Sequence, residues 1–172
     1  MTKAASLREF GRAWAPVFGM SSEEMYGRQR ILTDLGLIEG DRKSGPGRGA
    51  RQTAWNTALL FAALLCAPSR AETEKTIYTF AYLRIQDETI YQLMQSEYFI
   101  NELMSIFRQD SRLNDIAEVV VCRTTYTAYV KYQTPAGPET MVFARDGDKK
   151  WAPLPTISAS LPGRIFREVG RL

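Results

Sequence analysis

The sequence predicts an α+β fold in two parts: a helical part over about residues 1–70, and a part of antiparallel strands with helices over about 72–172. Three observations predict it. Apolar residues recur at helical spacing behind clear capping residues throughout the first seventy positions. Runs of β-branched and aromatic residues follow after position 115, separated by a turn at Thr134-Pro135-Ala136-Gly137-Pro138. Charge is also unevenly shared. Residues 1–70 carry ten Lys/Arg against six Asp/Glu, whereas 71–172 carry twelve against thirteen. The excess of positive charge lies in the helical part, as expected where that part meets a polyanion.

The first helix begins behind Ser6-Leu7-Arg8-Glu9, a capping box, and Leu7, Phe10 and Trp14 then recur on one face, with Val17 extending the series. Pro16 ends or bends it, and Phe18-Gly19-Met20 makes the turn. Ser21 or Ser22 caps a second helix to about Leu35, with Glu23 and Glu24 in its first turn and Gly36 as the left-handed stop. On a helical wheel Met25, Ile31, Leu32 and Leu35 share one arc, and Ser22, Glu23, Tyr26, Arg30 and Thr33 share the opposite one. Arg28 falls inside the apolar arc; its stem either reaches out to a phosphate or pairs with a carboxylate.

Gly36-Leu37-Ile38 then leads into a basic segment. Between Gly40 and Arg51 stand Arg42, Lys43, Arg48 and Arg51 among four glycines, a composition that builds no packed element. Glycine lets a backbone approach a ligand closely, and the arginine fork matches phosphate oxygens and base edges. The phosphate-loop ending Gly-Lys-Ser/Thr is missing, because Gly49 is followed by Ala50 and Arg51. Helix, turn, polar-faced helix and basic segment together predict a winged helix-turn-helix, its second helix in the major groove and its wing on the backbone or minor groove.

This order resembles the winged helix-turn-helix of MerR-type regulators over roughly Ser6 to Leu65, with Gly36-Leu37-Ile38 as the hinge of the comparison. The second helix is about one turn longer than in that family, and Tyr26 stands where an arginine is common. The wing Gly45-Pro46-Gly47-Arg48-Gly49-Ala50-Arg51 is richer in glycine, and so is similar to small winged DNA-binding proteins of bacteria and their mobile elements. The resemblance implies that Tyr26 and Arg30 contact bases and that Arg48 and Arg51 contact phosphates or the minor groove. With Ser22, Arg28, Arg42 and Lys43 these make the expected DNA-binding set.

Beyond the basic segment, Thr53 caps a third helix through about Cys66, apolar on nearly all sides and therefore central. Pro68-Ser69-Arg70-Ala71 is the expected boundary. Residues 73–83 read as a helix, and 89–108 as a long one, with Ile90, Leu93, Met94, Phe99, Ile100, Leu103, Met104 and Phe107 at helical spacing. Ile116 to Cys122, Tyr126 to Gln133 and Glu139 to Ala144 read as strands, and Ser160-Leu161-Pro162 as the start of a final helix to Leu172.

Other function classes have little to stand on. Histidine is absent, Cys66 and Cys122 form no CxxC pair, and no catalytic or metal-ligating constellation is visible, so neither enzyme activity nor a cofactor is expected. Glu72-Thr73-Glu74-Lys75 and Asp146-Gly147-Asp148 read as a solvated charge run and a turn. Tyr126, Tyr129 and Tyr132 read as strand formers, not a stacking platform. The apolar stretch Ala58 to Pro68 is too short to span a bilayer, and the polar N-terminus predicts no export. The expectation is a cytoplasmic, nucleoid-associated transcriptional regulator that binds specific double-stranded DNA, with the C-terminal part joining two copies or a regulatory or transcription-machinery protein. The alternatives are a DNA-architectural or recombination-accessory role, as in excisionase-like winged proteins, and a protein-interaction module that has lost DNA contact.

Overall fold

The computed structural model describes residues 6–38, 50–86, 97–108, 115–145 and 158–165. The chain forms two compact units, Met1–Ile77 and Tyr78–Leu172. The division falls inside a helix, a few residues beyond the boundary expected at Pro68-Ser69-Arg70-Ala71.

In the first unit, α1 (Leu7–Trp14) starts behind Ser6, whose hydroxyl accepts from the Glu9 backbone N–H while the Glu9 carboxylate accepts from the Ser6 N–H. A 3₁₀ turn over Ala15–Phe18 follows, with Pro16 in its first turn and Gly19 left-handed at its end. Ser21, rather than Ser22, caps α2 (Ser22–Asp34) by accepting from the Glu24 N–H at 3.1 Å. Gly36, at φ +72°, lets the Leu37 N–H bond the Leu32 carbonyl and the Gly36 N–H bond that of Thr33, a complete Schellman finish. Thr53 caps α3 (Ala54–Cys66), in which every side chain from Asn56 to Cys66 is buried.

α3 is the centre of this unit. Phe61 stands 5.2 Å edge-on to Phe18 and 6.3 Å from Phe10, and is fully buried; removing such a side chain from water stabilises by about 2–3 kcal/mol. α1 and α2 meet closely at Gly11, where a Cβ would lie 3.0 Å from Met25 Cγ. The segment 39–49 enters at buried Ile38 and leaves at buried Ala50. Its exit is fastened to α1 by the Leu7 N–H donating to the Ala50 carbonyl at 2.8 Å and by an antiparallel bridge of Ser6 with Arg51. At its entrance, the Trp55 indole donates to the Leu37 carbonyl at 3.2 Å.

A short 3₁₀ turn (Arg70–Glu72) precedes α4 (Thr73–Ala81). The second unit is a five-stranded antiparallel sheet in the order β1-β4-β3-β2-β5, with β1 Arg84–Ile85, β2 Ile116–Cys122, β3 Thr127–Thr134, β4 Gly137–Ala144 and β5 Ser158–Pro162. Alternation sets its faces. Leu161, Val119, Val130 and Met141 are aligned across four strands and all are buried. Helix α5 (Phe99–Phe107) covers this side: Phe99 packs 5.6 Å from Phe143, and the Tyr132 hydroxyl donates to the buried Glu102 carboxylate.

Several expectations change. Ser160-Leu161-Pro162 does not open a helix: Ser158–Pro162 is the edge strand β5, because pairing with β2 satisfies its backbone and puts Leu161 beside Val119. A helical turn begins only at Gly163, and residues 166–172 lie outside the described residues. The single long helix expected over 89–108 does not hold at 97–98: Tyr98 is extended and bridges Arg84, so the helix begins only at Phe99 and runs to Phe107; 87–96 lie outside the described residues. Strand β1 is two residues long, too short for a sequence period. Tyr126 belongs to the β2–β3 turn at φ +51°, held between Phe80 (5.6 Å) and the Arg145 guanidinium (4.3 Å). Tyr132 is buried and Tyr129 half-buried on opposite faces of β3, so the three tyrosines share no surface.

Across β2 and β3, the Lys131 ammonium donates to Glu118 at 2.8 Å and, with a smaller contribution from Ser160, holds that carboxyl below its ordinary 4.5. A depressed folded-state value stabilises the fold above the unfolded value, and the gain is lost as pH falls through the folded one. Lys131→Met should therefore cost less than about 1 kcal/mol at neutral pH, the pair being partly exposed, and the difference from the parent should vanish in acid. Urea unfolding of both proteins at neutral and acid pH checks this.

Candidate nucleic-acid interface

The exposed face of α2 carries a row of polar side chains. Ser22, Glu23, Tyr26, Arg30, Thr33 and Asp34 are exposed, while Met25, Arg28 and Leu32 are buried. This follows the two arcs read from the periodicity. Its residues are held in different ways. Tyr26 is 42% exposed and lies under the Arg8 guanidinium, 4.7 Å from the ring centroid, so α1 braces it through a cation–π contact. The side chain of Arg30 is 74% exposed and pairs loosely with Asp34 at 3.9 Å. The Thr33 hydroxyl donates back to the Gln29 carbonyl at 3.0 Å, leaving its oxygen able to accept.

Arg28 leaves the set of expected DNA contacts. It is 2% exposed, and its Nη1 donates to the carbonyls of Ala63 (3.2 Å) and Ala67 (2.8 Å), while Nη2 pairs with Glu24 at 3.0 Å. The reason lies in α3. That helix ends at Ala67-Pro68 with no glycine to turn the chain back on its last carbonyls, and Arg28 supplies a donor to the Ala67 carbonyl and a second one to that of Ala63. Of the two outcomes open to this residue, pairing with a carboxylate is the one realised.

Arg51 is exposed, and its carbonyl accepts from Asn56 Nδ2 at 2.9 Å, which fixes the backbone where the basic segment rejoins α3. Arg42, Lys43 and Arg48 lie outside the described residues. Sequence reasoning missed Arg8, since a surface cation on α1 has no periodicity linking it to a tyrosine on the next helix.

Elsewhere the chemistry is sparse. No group of three or more His, Cys, Asp or Glu that could hold a metal ion occurs among the described residues. Both thiols are buried and neither is in a disulfide. Burial pushes the Cys122 thiol up, but hydrogen bonds from Thr125, Thr124 and Thr127 outweigh it and leave it below its ordinary value. No described helix is long and apolar enough to cross a membrane. No protein family, curated protein or solved structure matches the chain.

Proposed function

We propose that this protein is a sequence-specific double-stranded DNA-binding regulator, with α1 and α2 acting as a helix-turn-helix and the Gly/Arg-rich segment 39–49 as its wing. One observation carries the reading: Tyr26, Arg30 and Thr33 are exposed on one face of α2, with the Arg8 guanidinium held over Tyr26. An α-helix with side chains is about 10–12 Å across, and the major groove about 12 Å wide, so such a strip can meet base edges while cations reach the phosphates. The residues flanking the glycine-rich segment are fastened within this unit, Ala50 to α1 and Leu37 to the start of α3, which supports a wing carried on the same unit. A second copy of the chain, joined through the second unit, would supply the half-site symmetry that raises affinity in such proteins.

Genome-wide mapping of bound sites, followed by footprinting, tests the reading. A regulator protects promoter or operator sequence; an architectural factor protects attachment or packaging sites and bends them. Arg30→Ala should relax sequence preference, at a cost of about 1–3 kcal/mol at the affected base pair. Arg48→Ala should weaken binding evenly across sequences and lower the slope of log K against log salt by about 0.9. Absence of salt-dependent binding to any duplex would leave only the protein-interaction role.

A further inference from the structure

We infer that Arg8 and Arg70 straddle α2 and hold the phosphates of the two DNA strands on either wall of the groove this helix enters, an inference that rests on the DNA-binding reading above. Tyr26 and Gly27 are neighbours in sequence, so they project about 100° apart around α2, with Arg30 between them on the wheel. Arg8 reaches from α1 over Tyr26. Arg70 reaches from the 3₁₀ turn before α4 over Gly27. A helix seated in the major groove has one phosphate backbone along each flank, which is where these two guanidinium groups stand.

Gly27 makes the second contact possible. A Cβ at this position would lie 2.7 Å from Arg70 Cδ, 3.1 Å from Nη1 and 3.3 Å from Nε, so any side chain would lift Arg70 off the helix. Glycine in the middle of a 13-residue helix has a cost in stability relative to alanine. The three atoms nearest that absent Cβ all belong to Arg70. Gly27 is buried, and the arginine over it is exposed. Neither Arg8 nor Arg70 makes an ion pair among the described residues, so both charges remain available to an anion. The acidic residues of this face, Glu23 and Asp34, stand at the two ends of α2, and Asp34 is taken up by Arg30. Between them stand one guanidinium over Tyr26 and another over Gly27, an arrangement that suits a ligand with two rows of negative charge.

The test uses the full-length protein and a fluorescein-labelled duplex of random sequence, with anisotropy measured across a salt series. Arg70→Gln keeps a polar stem over Gly27 and removes only the charge. It should weaken binding about fivefold at low salt and reduce the salt slope by about 0.9, and Arg8→Gln should do the same. Gly27→Ala should weaken binding comparably while leaving the protein at least as resistant to urea. Combined with Arg70→Gln it should add no further loss, because both changes remove one contact. If Arg70→Gln and Gly27→Ala leave affinity and slope unchanged while Arg48→Ala weakens binding, the straddle is wrong and the DNA-binding reading survives. If the parent protein shows no salt-dependent binding to the duplex, both fall together.

Discussion

Arg28→Ala is expected to lower the stability of the first unit by about 3 kcal/mol, the largest effect of any single change on α2. The loss has two sources. The Ala67 carbonyl loses its donor at the buried end of α3, while that of Ala63 keeps the Ala67 N–H, and an orphaned buried polar group costs about 1–3 kcal/mol. The volume of a nearly wholly buried side chain is also vacated, and a cavity adds to the penalty because the surroundings collapse only in part. The ion pair with Glu24 contributes little, since that carboxylate is 41% exposed, so Glu24→Gln should cost well under 1 kcal/mol. Arg28→Lys should fall between the two, a point charge being unable to span both carbonyls and the carboxylate. Urea unfolding followed by tryptophan emission measures this, Trp14 and Trp55 both lying in this unit. An unchanged midpoint for Arg28→Ala would show that something else caps α3.

Gly163→Ala is expected to be equally costly, in the second unit and for a steric reason. A Cβ on Gly163 would lie 1.7 Å from the Ile116 carbonyl oxygen and 2.6 Å from its carbon, positions no rotamer can relieve because both atoms are backbone. Ile116 is where the β2–β3 register slips by a residue, so the chain leaving β5 passes directly over an irregular strand start. Accommodating a methyl group there means lifting the end of β5 from β2 or shifting the bulge. Overpacking of this kind typically costs about 1–3 kcal/mol, and a backbone obstruction belongs at the upper end. Leu161 would then lose its place beside Val119, exposing one end of the buried row across the sheet. The expected readout is a lowered midpoint in urea with faster amide exchange along β5 and the paired residues of β2. Exchange unaltered along β5 would contradict the steric account.

A substitution on α2 separates two kinds of arginine that look alike in sequence. Arg28 and Arg30 are two residues apart, yet removing Arg28 should destabilise the unit, whereas removing Arg30 should leave the fold intact and, under the function proposed above, alter base preference. Helical geometry already places them on different arcs. What each does there depends on its neighbour: the unfinished end of α3 for Arg28, solvent and Asp34 for Arg30.

Sequence by itself determined the elements whose causes are local. The capping box at Ser6, the left-handed stop at Gly36 and the cap at Thr53 all bond within a few residues of themselves, and α3 is an unbroken apolar run behind its cap, so their bounds follow from the chain alone. The strands β2, β3 and β4 were legible for the same reason: their alternation and the turn between β3 and β4 are short-range. The exposed arc of α2 was legible because one helix period assigns each side chain to a face.

Tertiary structure alone decided the features whose partners are distant in sequence. Arg28 finds its carbonyls thirty-five and thirty-nine positions away, and no pattern on α2 announces them. Ser158–Pro162 is a strand because β2 offers it a free edge, although its own residues, with Pro162, suit a helix start equally well. Arg8 over Tyr26 and Arg70 over Gly27 bring cations from two other segments onto one helix face. Polar groups and bulky side chains take whichever partner the packed fold brings within reach, and that choice is made in three dimensions.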